Sequence, residues 1–428
     1  MIIIISVLMF FLLLMIGLDV GYSMIVAALA GMFFHAGSPV DPVMAPMTLM
    51  SNVDSAALVA VPLFVLAGEI MNQGGLTRRL VEWATAMVGH FRGSLSQVAM
   101  TTNLVMAGIS GSAVADATAT GAMLIPAMKK EGYKPGYAAA VIAAGALLGP
   151  ILPPSIPMVV YAVIANISVA KLFLGGIVPA MMLFGGFVTI CSYTAKRHHY
   201  LAKPRVQWRE QARSTRIAIW ALMVPLLVIV GIRSGWITET EAGGAICIYA
   251  IVVGVLIYRD LRFRDLAKVF FSAGKTSAVI MFLLAAAGPF SWLMSEAHIA
   301  TAIAHAVLGI SKDPLVVLLV VNVMLLLVGM VFEPLPALVM FVPTLLPIQA
   351  ALGIDPIHFA TVVIVNLMIG MLHPPVGLLI LITSAIGKVR IWSVAIETLP
   401  FLGWSLAVLF LISVFPHLVT WLPALLVK

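Results

Sequence analysis

The sequence predicts an all-α, polytopic membrane protein with inverted repeats, two re-entrant helical hairpins and two broken helices. Three observations carry that expectation: an apolar composition, apolar stretches of spanning length, and an internal register of glycines and prolines whose flanking charges reverse. Of the 428 residues, 62% are hydrophobic and 10% charged, with a mean hydropathy of +1.13. Soluble domains hold roughly 45–50% apolar and about 25% charged residues, so no water-soluble fold can hide this surface. Apolar stretches recur at 2–17, 56–71, 172–195, 240–258, 314–332 and 393–415. In hydrocarbon they must be helices, because only a helix satisfies its own backbone polar groups and no barrel-like alternation is present. The apolar start, 1–17, has neither a basic leader nor a small-residue cleavage site, so it reads as a retained span.

The net charge of +7 does not point to nucleic acid, because the basic residues sit in short loops between apolar stretches. In the loop 196–216, Lys196, Arg197, Lys203, Arg205, Arg209, Arg213 and Arg216 face a single acid, Glu210. The positive-inside rule makes that loop cytoplasmic. Arg259, Arg262, Arg264 and Lys268 mark a second cytoplasmic loop and leave the turn at 235–241 outside. The two cysteines, Cys191 and Cys247, lie in apolar runs, which indicates neither a disulfide framework nor a zinc site.

Sliding the chain against itself by 221 residues aligns Gly108 with Gly329, Pro126 with Pro347, Gly132 with Gly353 and Pro135 with Pro356. In the same ungapped register Gly149 meets Gly370, Pro153 and Pro154 meet Pro374 and Pro375, and Pro179 meets Pro400. Glycine and proline are common in membrane helices, but one unbroken register is not expected from composition alone. Lys129, Lys130 and Lys134 lie in the first copy, whereas the matching 350–355 has no Lys or Arg; further on the bias reverses, with Lys171 against Lys388 and Arg390. Opposite charge bias implies inverted topology, an architecture of many secondary transporters. The chain then divides into N-terminal scaffold helices (1–91), a first repeat core (92–195), a basic loop with central scaffold or arm helices (196–311) and a second repeat core (312–428).

Each copy holds two unusual segments. Residues 93–128 form two arms around the tip G-I-S-G-S-A-V-A-D at 108–116. Arms of about 13–16 residues reach only about 20–24 Å, short of a hydrocarbon core of about 30 Å, so a re-entrant hairpin is expected. The run G-P-I-L-P-P-S at 149–155 interrupts the apolar stretch 136–165, and G-M-L-H-P-P at 370–375 does the same in the second copy. Paired prolines break a helix and free its carbonyls. Irregular backbone at membrane depth is tolerated where it lines a cavity.

At these motifs the sequence resembles the large membrane subunit, the DctM type, of tripartite ATP-independent periplasmic (TRAP) transporters. The resemblance spans essentially the whole chain and is most specific in S-G-S-A-V-A-D at 110–116, L-G-P-I-L-P-P-S at 148–155 and P-P-V-G at 374–377, with A-G-E-I-M at 67–71 and G-I-D-P-I-H-F at 353–359 also similar. The resemblance implies an elevator-type sodium symporter in a bacterial inner membrane. It implies two partners, a small four-helix membrane subunit and a soluble periplasmic binding protein, and an organic-acid substrate such as a C4-dicarboxylate or sialic acid. Two positions depart from the family pattern: His373 stands where Thr usually precedes the double proline, and Glu333 where the second hairpin tip usually carries Asp.

A sodium ion needs several hard oxygen ligands, which a broken helix supplies as carbonyls without fixed charge. The expected first-copy ligands are Ser110 and Ser112 with the carbonyls of Gly149, Leu152 and Pro154; the second-copy ligands are Gly329, Glu333, Gly370 and His373. The bland alternative is that the small residues only let helices pack closely. An anionic substrate needs free N–H groups at helix starts, with Ser112, Ser155, Asn166 and Glu333 as the candidate contacts. Ser155 can equally be an N-cap, and Asn166 can simply satisfy a neighbouring helix. Glu69, Asp116, Glu333 and His373 are the ionisable residues at apparent membrane depth; Asp116 can orient the tip, and Glu333 can bind sodium or carry a proton. An ATP-driven pump is disfavoured, since Val269 stands where a phosphate loop before Gly274-Lys275-Thr276 needs glycine. No catalytic motif marks an enzyme. Proton coupling and a passive anion channel are the alternatives to sodium-coupled uptake.

Overall fold

A computed structural model describes residues 2–33, 43–233, 236–296, 309, 311–374 and 376–426. Helices α1 (Ile2–Met15), α2 (Val20–Phe33) and α3 (Met44–Ser51) precede α4 (Ala60–Gln73) and α5 (Leu76–Val88). A first set of five follows: α6 (Ser94–Ser110), α7 (Ala113–Lys130), α8 (Pro135–Ala146), α9 (Ile156–Ala165) and α10 (Val169–Arg197). Three central helices, α11 (Trp208–Arg233), α12 (Glu239–Val252) and α13 (Phe263–Glu296), lead to the second set: α14 (Pro314–Val331), α15 (Pro334–Ala351), α16 (Pro356–Gly370), α17 (Leu378–Gly387) and α18 (Ile391–Val414). The short α19 (His417–Leu426) closes the chain. No strand occurs among the described residues, and 8 helical segments among them are long and apolar enough to cross a membrane. The protein is an all-α, multi-pass membrane protein.

Local chemistry sets the helix starts. Ser112, Ser155 and Ser168 cap α7, α9 and α10 by accepting from the N–H groups of Ala115, Met158 and Lys171. Asp313 and Asp355 do the same for α14 and α16, each followed by proline in the first turn. Proline costs nothing there because its missing N–H has no helical partner anyway. The basic loop is shorter than its charge pattern suggests: α11 begins at Trp208, so Arg209, Arg213 and Arg216 lie on its first turns.

Adding 221 to the bounds of α7 gives the bounds of α15, and the other four pairs agree to within a few residues at their starts and ends. The two sets meet head to tail. Lys129 Nζ donates to the Gly387 carbonyl at 3.2 Å and Lys134 pairs with Glu397 at 3.9 Å, so the α7–α8 turn sits beside the α17–α18 turn. At the far end a Cβ built on Gly175, early in α10, would meet Thr361 Oγ1 at 3.1 Å and Ile357 at 3.2 Å, early in α16. The half-helices α8 and α16 form the centre: every residue from Gly136 to Ala146 and from His358 to Gly370 is buried.

Polar tethers hold each set, and they differ. In the first, Gly145 on α8 leaves room for Asn103 of α6, whose Nδ2 would lie 2.7 Å from a Cβ there; Asn103 Oδ1 accepts from Thr120 at 3.2 Å. In the second, Asn366 stands 221 residues after Gly145 and donates to the backbone oxygen and Oδ1 of Asn322, both at 2.9 Å, while Asn322 donates to Ser413 Oγ at 2.8 Å. A further clasp joins the loop after α10 to the end of the first hairpin: Lys203 pairs with Glu131 at 2.7 Å and Tyr200 stacks on Tyr133 at 4.1 Å.

By the positive-inside rule the α7–α8 turn is expected in the cytoplasm and the 350–355 turn outside. Lys130 and Ala350 are both exposed, which makes them fair reporters. In intact cells a cysteine at Ala350 is expected to react with a membrane-impermeant thiol reagent while one at Lys130 stays protected. The reverse pattern would overturn this placement.

Candidate functional site

A cavity of about 610 Å³ opens where α4, α13 and the two helical hairpins meet. The first hairpin contributes Ser110 to Ala115, the second Glu333 to Leu335, α4 Glu69 and Asn72, and α13 Thr276 and Val279. Its wall contains two carboxylates, Glu69 and Glu333, and no Lys, Arg or His among the described residues. An anion there must be met by hydroxyls, helix-start N–H groups or a bound cation.

The first hairpin turns on two residues. The glycine-rich motif is mostly helical: α6 runs through Ser110, Gly111 sits in the left-handed region at φ 61°, and Ser112 is already the cap of α7. The arms are therefore 17 and 18 residues long, about 26 Å each and longer than the sequence pattern implies. Gly111 is needed for its handedness and for its closeness to the break, since a Cβ there would lie 2.5 Å from the Pro154 carbonyl oxygen.

Asp116 anchors the turn. It is fully buried and accepts from Ser110 Oγ at 2.5 Å through Oδ1, and Ser110 Oγ in turn accepts from the Ser112 N–H at 3.2 Å. Its second oxygen, Oδ2, is buried with no hydrogen-bond partner. A Cβ on Gly149 would lie 2.6 Å from that oxygen and 3.2 Å from the Ser112 carbonyl carbon, so Gly149 keeps a small space open between hairpin tip and broken helix. An orphaned carboxylate oxygen beside hydroxyls and carbonyls is a donor set that fits a hard monovalent cation. Among the described residues no three His, Cys, Asp or Glu side chains cluster as a metal site, so such a cation would rest mainly on neutral oxygens.

The structure brings Ser110, Ser112, Gly149 and Pro154 together with Asp116. Leu152 lies in the same break, half-buried, its N–H bonded to the Leu148 carbonyl at 2.9 Å. Ser155 is spent as a cap, fully buried, accepting from Met158 at 3.2 Å and donating to the Pro150 carbonyl. Asn166 is exposed at the far end of α9, where it takes the left-handed conformation at φ 52° that ends the helix, and it lies outside the cavity wall.

In the second set Gly329 and Gly370 are in backbone contact: a Cβ on Gly370 would lie 2.5 Å from the Gly329 Cα. Glu333 starts α15 without a side-chain cap bond and faces the cavity. His373 is half-buried, its Nδ1 2.6 Å from the Pro374 carbonyl, and it is not part of the cavity wall. Pro375 lies outside the described residues. Sequence reasoning missed Asn72, Thr118 and Thr276 as wall residues; they come from ordinary helix faces, and nothing in their spacing sets them apart.

This arrangement, a multi-pass helical protein with paired hairpins closing on an internal cavity, defines a membrane transporter fold. Solved structures with the same fold include the YdaH transporter of Alcanivorax borkumensis (TM-score 0.64, 15% identity, 88% of each chain covered) and MtrF of Neisseria gonorrhoeae (TM-score 0.63, 12% identity, 96% of this chain and 94% of that one). The sequence profile described as "Tripartite ATP-independent periplasmic transporter, DctM component" matches residues 7–418, so the chain belongs to the DctM family of TRAP transporter large permeases. Similar proteins include the sialic acid TRAP transporter large permease SiaM of Vibrio cholerae, 35% identical over 96% of this chain and 95% of that one. The C4-dicarboxylate permease DctM of Rhodobacter capsulatus is 33% identical over 96% of each chain. The 2,3-diketo-L-gulonate permease YiaN of Escherichia coli is 35% identical over 88% of each. These relatives are permease subunits, not enzymes.

Proposed function

We propose that the chain is the transport subunit of a sodium-coupled system that takes up an organic acid across a bacterial inner membrane, working with a small four-helix membrane subunit and a periplasmic binding protein. The observation that carries the coupling is the first hairpin tip, where Ser110, Ser112 and the partnerless Asp116 Oδ2 face the Gly149 break beside the cavity. Bound sodium supplies positive charge there and offsets the repulsion a substrate carboxylate meets from Glu69 and Glu333. The protein's own part is to hold the oxygens apart at ion distance and to offer the N–H groups at the start of α7 to the anion. The matching bounds of the two sets, meeting head to tail, support an inverted repeat with re-entrant hairpins, and hence an elevator-like exchange of access. The three relatives named above, each a permease for an acid, support a carboxylate substrate.

Proton coupling is the second reading, favoured by Glu333, a carboxyl in the cavity wall with no cap bond to hold it. Uptake into proteoliposomes with sodium, proton and potassium gradients imposed separately distinguishes the two. The sodium gradient alone is expected to drive uptake without ATP. Ser112→Ala should weaken sodium affinity by about 1–3 kcal/mol, about five- to a hundred-fold, because one hydroxyl is lost while carbonyls remain. Uptake driven by protons alone and unchanged in Ser112→Ala would sink the sodium reading and turn attention to Glu333.

A further inference from the structure

The basic face at the start of α13 has no ion-pair partner among the described residues. Arg264, Lys268 and Lys275 recur at four- and seven-residue intervals, so they share one stripe of the helix with Phe271 and Ser272. All five are exposed. Lys268, Phe271, Ser272 and Lys275, floored by Ala267, line an open groove of about 480 Å³, and Lys275 Nζ lies 4.8 Å from the centre of the Phe271 ring.

Four basic side chains of the described chain are paired with acids: Arg78 and Arg79 with Asp260, Lys134 with Glu397, Lys203 with Glu131. Lys268 and Lys275 make no ion pair among the described residues. The nearest acid on the helix, Asp265, borders the stripe three residues before Lys268; it accepts from the Arg262 N–H at 3.3 Å and makes no ion pair with Lys268.

Length fixes the depth of this groove. α13 has 34 residues, about 51 Å against a hydrocarbon core of about 30 Å, and it begins within the basic run Arg259 to Lys268, which the positive-inside rule sets at the headgroup layer. Phe263 and Phe271 are 73% and 67% exposed there and offer apolar surface beside the lysines. A small water-soluble anion has no use for the rings; an amphipathic one uses both halves of the groove.

We propose that this groove binds the headgroup of one anionic phospholipid. Lys268, Lys275 and the Ser272 hydroxyl donate to the phosphate, and Phe271 packs on the glycerol and first acyl carbons. The site rests only on membrane placement, independent of the transported substrate.

Native mass spectrometry of the purified full chain, titrated with dioleoyl phosphatidylglycerol, tests it. One phosphatidylglycerol is expected to bind about thirty-fold more tightly to the wild type than to Lys268→Gln/Lys275→Gln, at roughly a factor of five to six per lysine. Arg209→Gln/Arg213→Gln on α11 should bind like the wild type, and Lys268→Arg/Lys275→Arg should retain most of the affinity. Dioleoyl phosphatidylcholine and inorganic phosphate should bind poorly to all of them. Equal binding of phosphatidylcholine, equal competition by inorganic phosphate, or unchanged affinity in the double glutamine variant would each overturn the proposal. If that variant does not fold, acetylation of the wild-type lysines decides: phosphatidylglycerol should shield Lys268 and Lys275. Shielding absent, or seen only with a co-purified small subunit, would also overturn it.

Discussion

Gly370→Ala is expected to destabilise the fold strongly. A Cβ there would sit 2.5 Å from both Cα and C of Gly329 and 2.7 Å from its carbonyl oxygen. Those are backbone atoms of α14, with no rotamer into which to retreat, so the two helices must part. Overpacking a fitted core costs about 1–3 kcal/mol; moving a whole helix pair puts this case near the top, at about 3 kcal/mol. Gly403→Ala on α18 is the control, since nothing lies within 4 Å of its Cβ position, and there alanine should be neutral or stabilising by up to about 1 kcal/mol. Thermal unfolding in detergent, followed by the loss of the monodisperse chromatographic peak, reads the difference. Equal midpoints for the two variants would mean that α14 and α16 do not cross at their glycines.

The second large effect is expected at Asp116. Removing its fully buried carboxylate strips Ser110 Oγ of its 2.5 Å acceptor. Hydrogen bonds to charged groups contribute about 1.5–3 kcal/mol, so Asp116→Ala should lower the uptake rate by about ten- to a hundred-fold. Asp116→Asn separates two roles. An asparagine keeps an acceptor for Ser110, so if Asp116 only orients the turn, Asn should recover most of the activity. If its free oxygen also holds the coupling cation, Asn should raise the sodium concentration needed for half-maximal uptake nearly as much as alanine does. Full activity in both variants would remove Asp116 from the site.

How much of this was legible beforehand differs by residue. The apolar stretches, the proline breaks and the 221-residue register all reappear in helix bounds because they depend on local backbone chemistry: a proline lacks its N–H wherever it stands. The hairpin motif misled in length. Its glycines and serines look like a loop, yet most of it is helix, because the Ser110 hydroxyl finds Asp116 one and a half turns on and draws the turn in to two residues. Ser155 and Asn166 looked like ligands because caps use the same polar residues that bind ions. Thr276 was visible only as part of a failed phosphate motif. Its place in the cavity wall is set by how α13 packs on α2, α3 and α4, which no local pattern encodes.

The unequal tethers of the two sets bear on why their likeness lies in glycine, proline and helix bounds and almost nowhere else. Where one set has Gly145 receiving Asn103, the other has Asn366 bonded to Asn322. An asparagine at 145 would collide with Asn103, and a glycine at 366 would leave Asn322 without its neighbour's amide. Neither residue can be exchanged for its counterpart unless its contact changes with it, so side chains diverge as linked pairs inside each half. The backbone requirements, a break here and a close crossing there, are common to both halves and leave only one or two residue types able to meet them. What the two halves share is therefore their punctuation, while each has its own vocabulary of side chains.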